Sequence, residues 1–170
     1  MVLIVETGTG LATANSYLTE NAASIYHNLY GNAAWAAATM PAKEIALLKA
    51  TQYLDGKYSL LWKGSKKTAA QALDWPRYSV ADRSGFVYSS EALPTELKNA
   101  TAEAALVALT ENLQPAVAAG SNVTFKDIKV GEIQIKKAFG GGSTSTYKTY
   151  TQIVNLLREL VLGGNDLGRA

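Results

Sequence analysis

The residues able to do chemistry are few. His27 is the sole histidine, and there is no cysteine. A multi-histidine metal cluster is thereby excluded, together with thiolate ligands, disulfides and a cysteine nucleophile. A Ser-His-Asp triad would have to use His27, which lies beside Tyr26 in a helical stretch and reads as a surface or partly packed imidazole. Asp74 and Asp82 flank Trp75-Pro76-Arg77. They read as ion-pair partners of Arg77 or Arg83 rather than an acid–base dyad, because nothing else catalytic gathers near them. No catalytic residue, metal or cofactor is expected. The remaining candidate is a nucleic-acid contact at Trp62-Lys63-Gly64-Ser65-Lys66-Lys67, with Tyr53 and Tyr58 upstream and Arg77 and Tyr78 downstream. Bases stack on rings while ammonium groups neutralise phosphates, so Trp62, Lys63, Lys66 and Lys67 are the types a single-strand site needs. A structural reading is favoured over it, with Trp62 as a core anchor and the lysines solvating a loop, because a net charge of +2 leaves no strongly basic stripe.

The elements that must position these residues are mostly helical. The longest signal runs from Pro94 to Gln114, where Pro94 suits a first turn and Glu96 complements the helix dipole. Leu97, Ala100, Ala104, Val107 and Ala108 make one apolar stripe, and Ala102, Leu106, Leu109 and Leu113 a second. The polar strip is Glu96, Asn99, Glu103, Thr110 and Gln114. Two apolar faces predict neighbours on two sides and make this helix the central post. Thr19 caps a first helix, Glu20 to about Tyr30, whose apolar set is Ala22, Ala23, Ile25, Tyr26 and Leu29 and whose stop is Gly31. A short turn of helix is expected around Trp35. Thr39 and Pro41 open another helix, Ala42 to Asp55, with Ala46, Leu47, Ala50, Tyr53 and Leu54 inward and Gly56 as its end.

Residues 57–93 lack strong periodicity, apart from a short helical candidate at Thr68 to Leu73 and turn signals at Trp75-Pro76 and Ser84-Gly85. Such a long irregular segment is usually functional or buried in an interface. From Val123 to Lys137 the period changes to two, at Ile128, Val130, Ile133 and Ile135, which predicts a strand pair bent or bulged at Gly131. Gln152 to Leu162 closes the pattern as an amphipathic helix stopped by Gly163-Gly164. Near the start, VLIV at 2–5 reads as a short strand or extended arm. The Gly8-x-Gly10 that follows is not a dinucleotide fingerprint, since Thr13 stands where the third small residue belongs and no βαβ unit follows.

At 170 residues the chain reads as one domain: a mainly α, small helical bundle (19–114 and 150–162), a β-hairpin arm (122–149) inserted before the last helix, and a tail (163–170). Only 18% of residues are charged, which suits either a surface partly covered by other subunits or an Ala-rich protein with a neutral surface. The opening MVLIVETGTG has no basic n-region, and no apolar stretch approaches the ~20 residues that cross a bilayer. On these grounds the chain is expected to be soluble and intracellular, without membrane contact.

Several pieces of the first half resemble a family of tailed-phage proteins labelled DnaT-like single-stranded DNA-binding. They are Leu3-Ile4-Val5-Glu6-x-Gly8-x-Gly10, Ala14-Asn15-Ser16-Tyr17, Lys49-Ala50-Thr51-x-Tyr53-Leu54-Asp55, Trp62-Lys63-Gly64 and, most distinctive, Ala70-Gln71-Ala72-Leu73-Asp74-Trp75-Pro76-Arg77. The second half, Lys126 to Phe139 with Gly131 and then Gln152 to Leu162, resembles the head–tail connectors or adaptors of siphophage-like particles. That resemblance implies a virion neck protein made in the host cytoplasm: a homo-oligomeric ring, commonly a dodecamer, docked under the portal protein. It would lead to a tail or stopper protein and surround the passing double-stranded DNA. Its implied interface residues are Lys129, Val130, Gly131, Ile133, Ile135, Phe139, Leu167 and Arg169. The DnaT-like label taken literally implies instead a replication accessory protein that binds single-stranded DNA through Trp62, Lys63, Lys66 and Lys67.

Overall fold

The computed structural model of the chain describes residues 2–114, 125–130, 133–138 and 148–162. In chain order its helices are α1 (Glu20–Leu29), α2 (Ala33–Ala37), α3 (Met40–Tyr58), α4 (Thr95–Ala108) and α5 (Thr151–Leu157). Its strands are β1 (Ser65–Lys66), β2 (Arg77–Tyr78), β3 (Phe125–Val130) and β4 (Ile133–Ala138). The architecture is mainly α. The chain forms two compact units, one of Met1–Leu113 with Thr149–Ala170 and one of Gln114–Lys148.

In the larger unit α4 is the post, packing against α3, α5 and α1. Its first three turns carry alanine or threonine at 100, 101, 102, 104 and 105, and every one of these is buried. Small side chains let three helices approach one axis closely, which is why the burial here is wider than two stripes. Glu103 belongs to the expected polar strip, yet it is buried too, because the Tyr26 hydroxyl donates to its carboxylate at 2.8 Å. Thr101 satisfies its hydroxyl by donating to the Leu97 carbonyl one turn back. The helix ends at Ala108 rather than Gln114.

Thr19 caps α1 as expected, its Oγ1 accepting from Ala22 N at 3.1 Å. The buried face of α1 differs from the expected stripe: Ala23 and His27 point inward, while Ile25 is half-exposed and Leu29 is 80% exposed. His27 wins the inward position because its two ring nitrogens both find partners. Nε2 donates to the Ala102 carbonyl of α4 at 3.1 Å, which leaves Nδ1 to accept from Asn32 Nδ2 at 2.9 Å. The imidazole is therefore neutral and fully buried, not a surface group, and it packs on the buried Trp35 ring at 4.5 Å. Trp35 in turn donates from Nε1 to Ser24 Oγ, fixing α2 against α1.

All five inward residues expected of α3 are buried: Ala46, Leu47, Ala50, Tyr53 and Leu54. The helix does not stop at Gly56. It runs on to Tyr58, whose fully buried side chain stabilises the last turn, while Ser59 N donates to the Asp55 carbonyl. The expected helix at 68–73 is absent. Gln71 instead folds a turn with Thr68, each side chain bonding the other's backbone N–H, and sends Nε2 to the carbonyls of Leu73 and Pro76. At the N-terminus the expected strand reduces to a single bridge, Val5 to Ser16. Helix α5 is shorter than the Gln152 to Leu162 expected, because residues 160–162 leave the helix to form an antiparallel bridge at Trp62–Val161, flanked by Lys63 N donating to the Leu160 carbonyl and Leu162 N to the Leu61 carbonyl.

The smaller unit contains β3 and β4, paired antiparallel from Phe125↔Ala138 through Ile128↔Ile135 to Val130↔Ile133. The expected strand pair is present, two residues apart in sequence. A bend at Gly131, the tail and the interface residues Phe139, Leu167 and Arg169 lie outside the described residues.

Burial lowers the His27 pKa below its ordinary 6.5, and Lys43 pushes the same way against the Ala102 hydrogen bond. A depressed folded value contributes stability that is complete above the unfolded value and is lost as pH falls through the folded one. Urea titrations should show wild-type stability falling more steeply than that of His27→Gln below about pH 6.5. Parallel pH profiles would contradict a buried neutral imidazole.

Candidate nucleic-acid interface

The segment from Trp62 to Tyr78 holds the residue types of a stacking site, and the structure folds it inward. Trp62 is 3% exposed, with Tyr58 at 5.5 Å and the fully buried Trp75 edge-on at 5.8 Å. Buried among these rings, the indole has no face on which a base can stack without opening the core. The lysines are engaged as well. Lys63 Nζ donates to the carbonyls of Ala81 at 3.1 Å and Glu159 at 2.7 Å. Lys67 Nζ bonds the Gly8 carbonyl and pairs with Glu91 at 2.6 Å. That hydrogen bond holds the Glu91 carboxyl below its usual range. Lys66, partly exposed, pairs with Asp74 at 3.1 Å.

Arg77 explains the shape of this segment. Its Nε donates to the Lys63 carbonyl at 2.7 Å, Nη2 to the Gly64 carbonyl at 2.8 Å and Nη1 to the Asp74 carbonyl at 3.1 Å. One planar fork thus ties β1's approach to β2's approach, and β1 and β2 pair as Ser65↔Tyr78 and Lys66↔Arg77. Arg77 makes no ion pair with Asp74 through side chains; that carboxylate goes to Lys66. Gly64 has φ +68°, and a Cβ there would lie 1.9 Å from the Tyr78 carbonyl oxygen. The Trp62-Lys63-Gly64 and Asp74-Trp75-Pro76-Arg77 pieces are therefore two halves of one knot. Asp82 also serves the backbone, its Oδ1 accepting from Ser84 N and Phe86 N.

That Asp82 turn presents what the Trp62 segment does not. Phe86 is 75% exposed, and Val87 beside it is exposed too. Arg83 Nε and Arg158 Nε both reach Glu159 Oε1, at 3.2 and 3.5 Å, so two largely exposed guanidinium groups share one carboxylate. The turn is braced by Asp82 N donating to the Phe86 carbonyl and Tyr88 N to the Val80 carbonyl. Sequence reasoning places a turn at Ser84-Gly85 but gives Phe86 and Arg158 no role. The signal available is an aromatic directly after a Ser-Gly turn; the pairing with Arg158, distant in sequence, is not readable. Among the described residues, no group of three or more His, Cys, Asp or Glu could hold a metal ion, and no helix is long and apolar enough to cross a membrane.

Over residues 1–169 the chain matches the model of a family described as "Putative DnaT-like ssDNA binding protein", and it belongs to that family. No curated protein and no solved structure matches it.

Because Trp62 is a core residue here, Trp62→Ala should cost about 3–5 kcal/mol of folding stability, whereas Phe86→Ala should stay within ~0.5 kcal/mol of wild type. Chemical denaturation monitored by circular dichroism measures both. A Trp62→Ala variant as stable as wild type would place the indole at the surface.

Proposed function

We propose that the protein is a non-enzymatic binder of single-stranded DNA, and that the contact is the Arg83–Phe86 turn with Arg158 rather than the Trp62 segment. Family membership across nearly the whole chain supports the class of ligand. The observation that carries the location is an exposed phenyl ring on a braced turn whose Arg83 shares Glu159 with Arg158. An exposed ring offers a π-face to any base, and guanidinium groups pair with phosphate while tolerating sequence. Two guanidinium groups make a small site, so binding is weak and salt-dependent. Fluorescence anisotropy with a short oligo-dT strand should show affinity falling as salt rises. Phe86→Ala should weaken binding by ~1–3 kcal/mol per stacked base. Arg83→Ala combined with Arg158→Ala should flatten the salt slope by roughly 0.7 for each phosphate no longer neutralised. Absence of salt-dependent binding by the folded wild type ends this reading.

A second reading, the head–tail adaptor ring in a virion neck, is favoured by a different observation. Residues 114–148 form a unit of their own, built on a two-stranded ribbon whose outer edges carry no further strand among the described residues. Open strand edges are sites where a neighbouring copy or partner can add a strand, and head-to-tail contacts of that kind close into rings when the rotation permits. In this reading the partners are sister copies, the portal protein and a tail or stopper protein, and genomic double-stranded DNA passes through the ring. Lys129, Val130, Ile133 and Ile135 would then lie in the subunit contact. Mixing the purified chain with portal rings should give a discrete collar by negative-stain microscopy, and Ile133→Pro, which removes a backbone donor from the ribbon, should abolish it. A chain that stays monomeric beside portals and is missing from purified particles excludes the adaptor.

A further inference from the structure

The carboxylate between Arg83 and Arg158 is anchored on its own backbone. Glu159 follows α5, between the fully buried Leu157 and Leu160, and its carbonyl accepts from the Lys63 ammonium at 2.7 Å. Arg83 stands in the turn that Asp82 braces, and Asp82 Oδ1 is taken by Ser84 N and Phe86 N. Glu159 joins the two pieces with both oxygens. Oε1 lies 3.2 Å from Arg83 Nε and 3.5 Å from Arg158 Nε, and Oε2 accepts from Arg83 N at 3.2 Å. The Glu159 side chain is 23% exposed, against 59% for Arg83 and 52% for Arg158, so the carboxylate is the covered member of the trio. Both arginines meet it through Nε, and among the described residues their Nη groups make no hydrogen bond.

We propose that Glu159 is a built-in counter-ion of this site: it takes the place of a phosphate between Arg83 and Arg158 and limits the site to one net positive charge. The inference rests on the single-strand reading above and names what regulates that contact. Two guanidinium groups and one carboxylate sum to a single positive charge. A first phosphate can bond Nη donors while Glu159 keeps the Nε edge, so it binds without displacing the carboxylate. The trio is then neutral. A second phosphate must exchange with Glu159, one charged partner for another at a largely exposed pair, and gains little. The carboxylate therefore holds affinity below what two unshared guanidinium groups would give.

Fluorescence anisotropy with oligo-dT across a salt series, comparing wild type with Glu159→Gln, tests this. The amide keeps an acceptor for Arg83 N, so the turn stays in place while the charge is removed. One more phosphate neutralised should steepen the fall of log affinity with log salt by roughly 0.7. If the two lines meet at 1 M salt, the gain is about eightfold at 50 mM and about threefold at 200 mM. In the Arg83→Ala, Arg158→Ala background the gain should shrink to that of Glu44→Gln, which removes the same charge from α3. A second comparison needs no change at Glu159: removing both arginines from the wild type should flatten the slope by roughly 0.7, for one phosphate, rather than roughly 1.4 for two. Wild-type binding that Glu159→Gln leaves unchanged or weakens overturns the inference alone. An equal gain from Glu44→Gln, or a loss of roughly 1.4 in slope with the two arginines, does the same. Binding by neither chain ends the single-strand reading and this inference together.

Discussion

One buried guanidinium determines how the irregular stretch between α3 and α4 folds. The stretch between α3 and α4 is too long and too poor in periodicity to be held by secondary structure, and its two strands are two residues each. What holds it is Arg77 donating to the carbonyls of Lys63, Gly64 and Asp74. Burial of the guanidinium lowers its pKa, and the charges of Asp74, Tyr17 and Asp55 oppose that shift. Each of the three carbonyls would otherwise be an unsatisfied acceptor near the core. Everything nearby follows from that tie: Gly64 must lack a side chain where β2 crosses it, Trp62 and Trp75 meet edge to face, and the Lys63 side chain is drawn across to α5's trailing segment.

The helices are legible in the sequence because their determinants are local. The inward set of α3, the Thr19 cap and the central place of α4 follow from spacing and capping chemistry within a few turns. Expectation and structure part where a distant partner decides. Ile25 and Leu29 look like core from the sequence of α1, yet His27 takes the core position because Ala102 and Asn32 satisfy its two nitrogens. Glu103 reads as a surface residue until Tyr26 is placed opposite it. A glycine ends a helix only where nothing beyond it gains by burial, and Tyr58 is buried two residues past Gly56. The helix expected at 68–73 gives way to Gln71, whose amide bonds pieces of chain that no periodicity connects.

The candidate site is less legible, and for a related reason. Aromatics interleaved with lysines describe both a single-strand platform and a buried indole cluster whose lysine stems cover its rim. Composition alone cannot separate them; burial does. With Trp62 covered and Lys63 and Lys67 bonded to backbone carbonyls, the distinctive pieces of the first half are accounted for by folding. In this chain they hold the fold together. A surface role has to be sought in residues that the fold leaves outward, and Phe86 with Arg83 and Arg158 meets that condition.

The same distinction bears on the two functional readings. A single-strand site needs cations that are free to exchange partners, and in the larger unit several of the cations near its aromatics are committed to the protein itself. Removing a lysine from a backbone carbonyl to reach a phosphate exchanges one charge-assisted hydrogen bond for another and leaves a carbonyl bare. Phosphate therefore gains little at Lys63 or Lys67, whatever the ring beside them. At Arg83 and Arg158 the existing partner is one shared, partly exposed carboxylate, so a phosphate can engage one guanidinium while the other keeps Glu159. On the single-strand reading, the energetic room for DNA lies in that sharing. On the adaptor reading, the room for a sister copy lies at the edges of the β3–β4 ribbon, beside which no further strand lies among the described residues. Salt separates the two: it screens the first interaction directly and leaves strand addition nearly untouched.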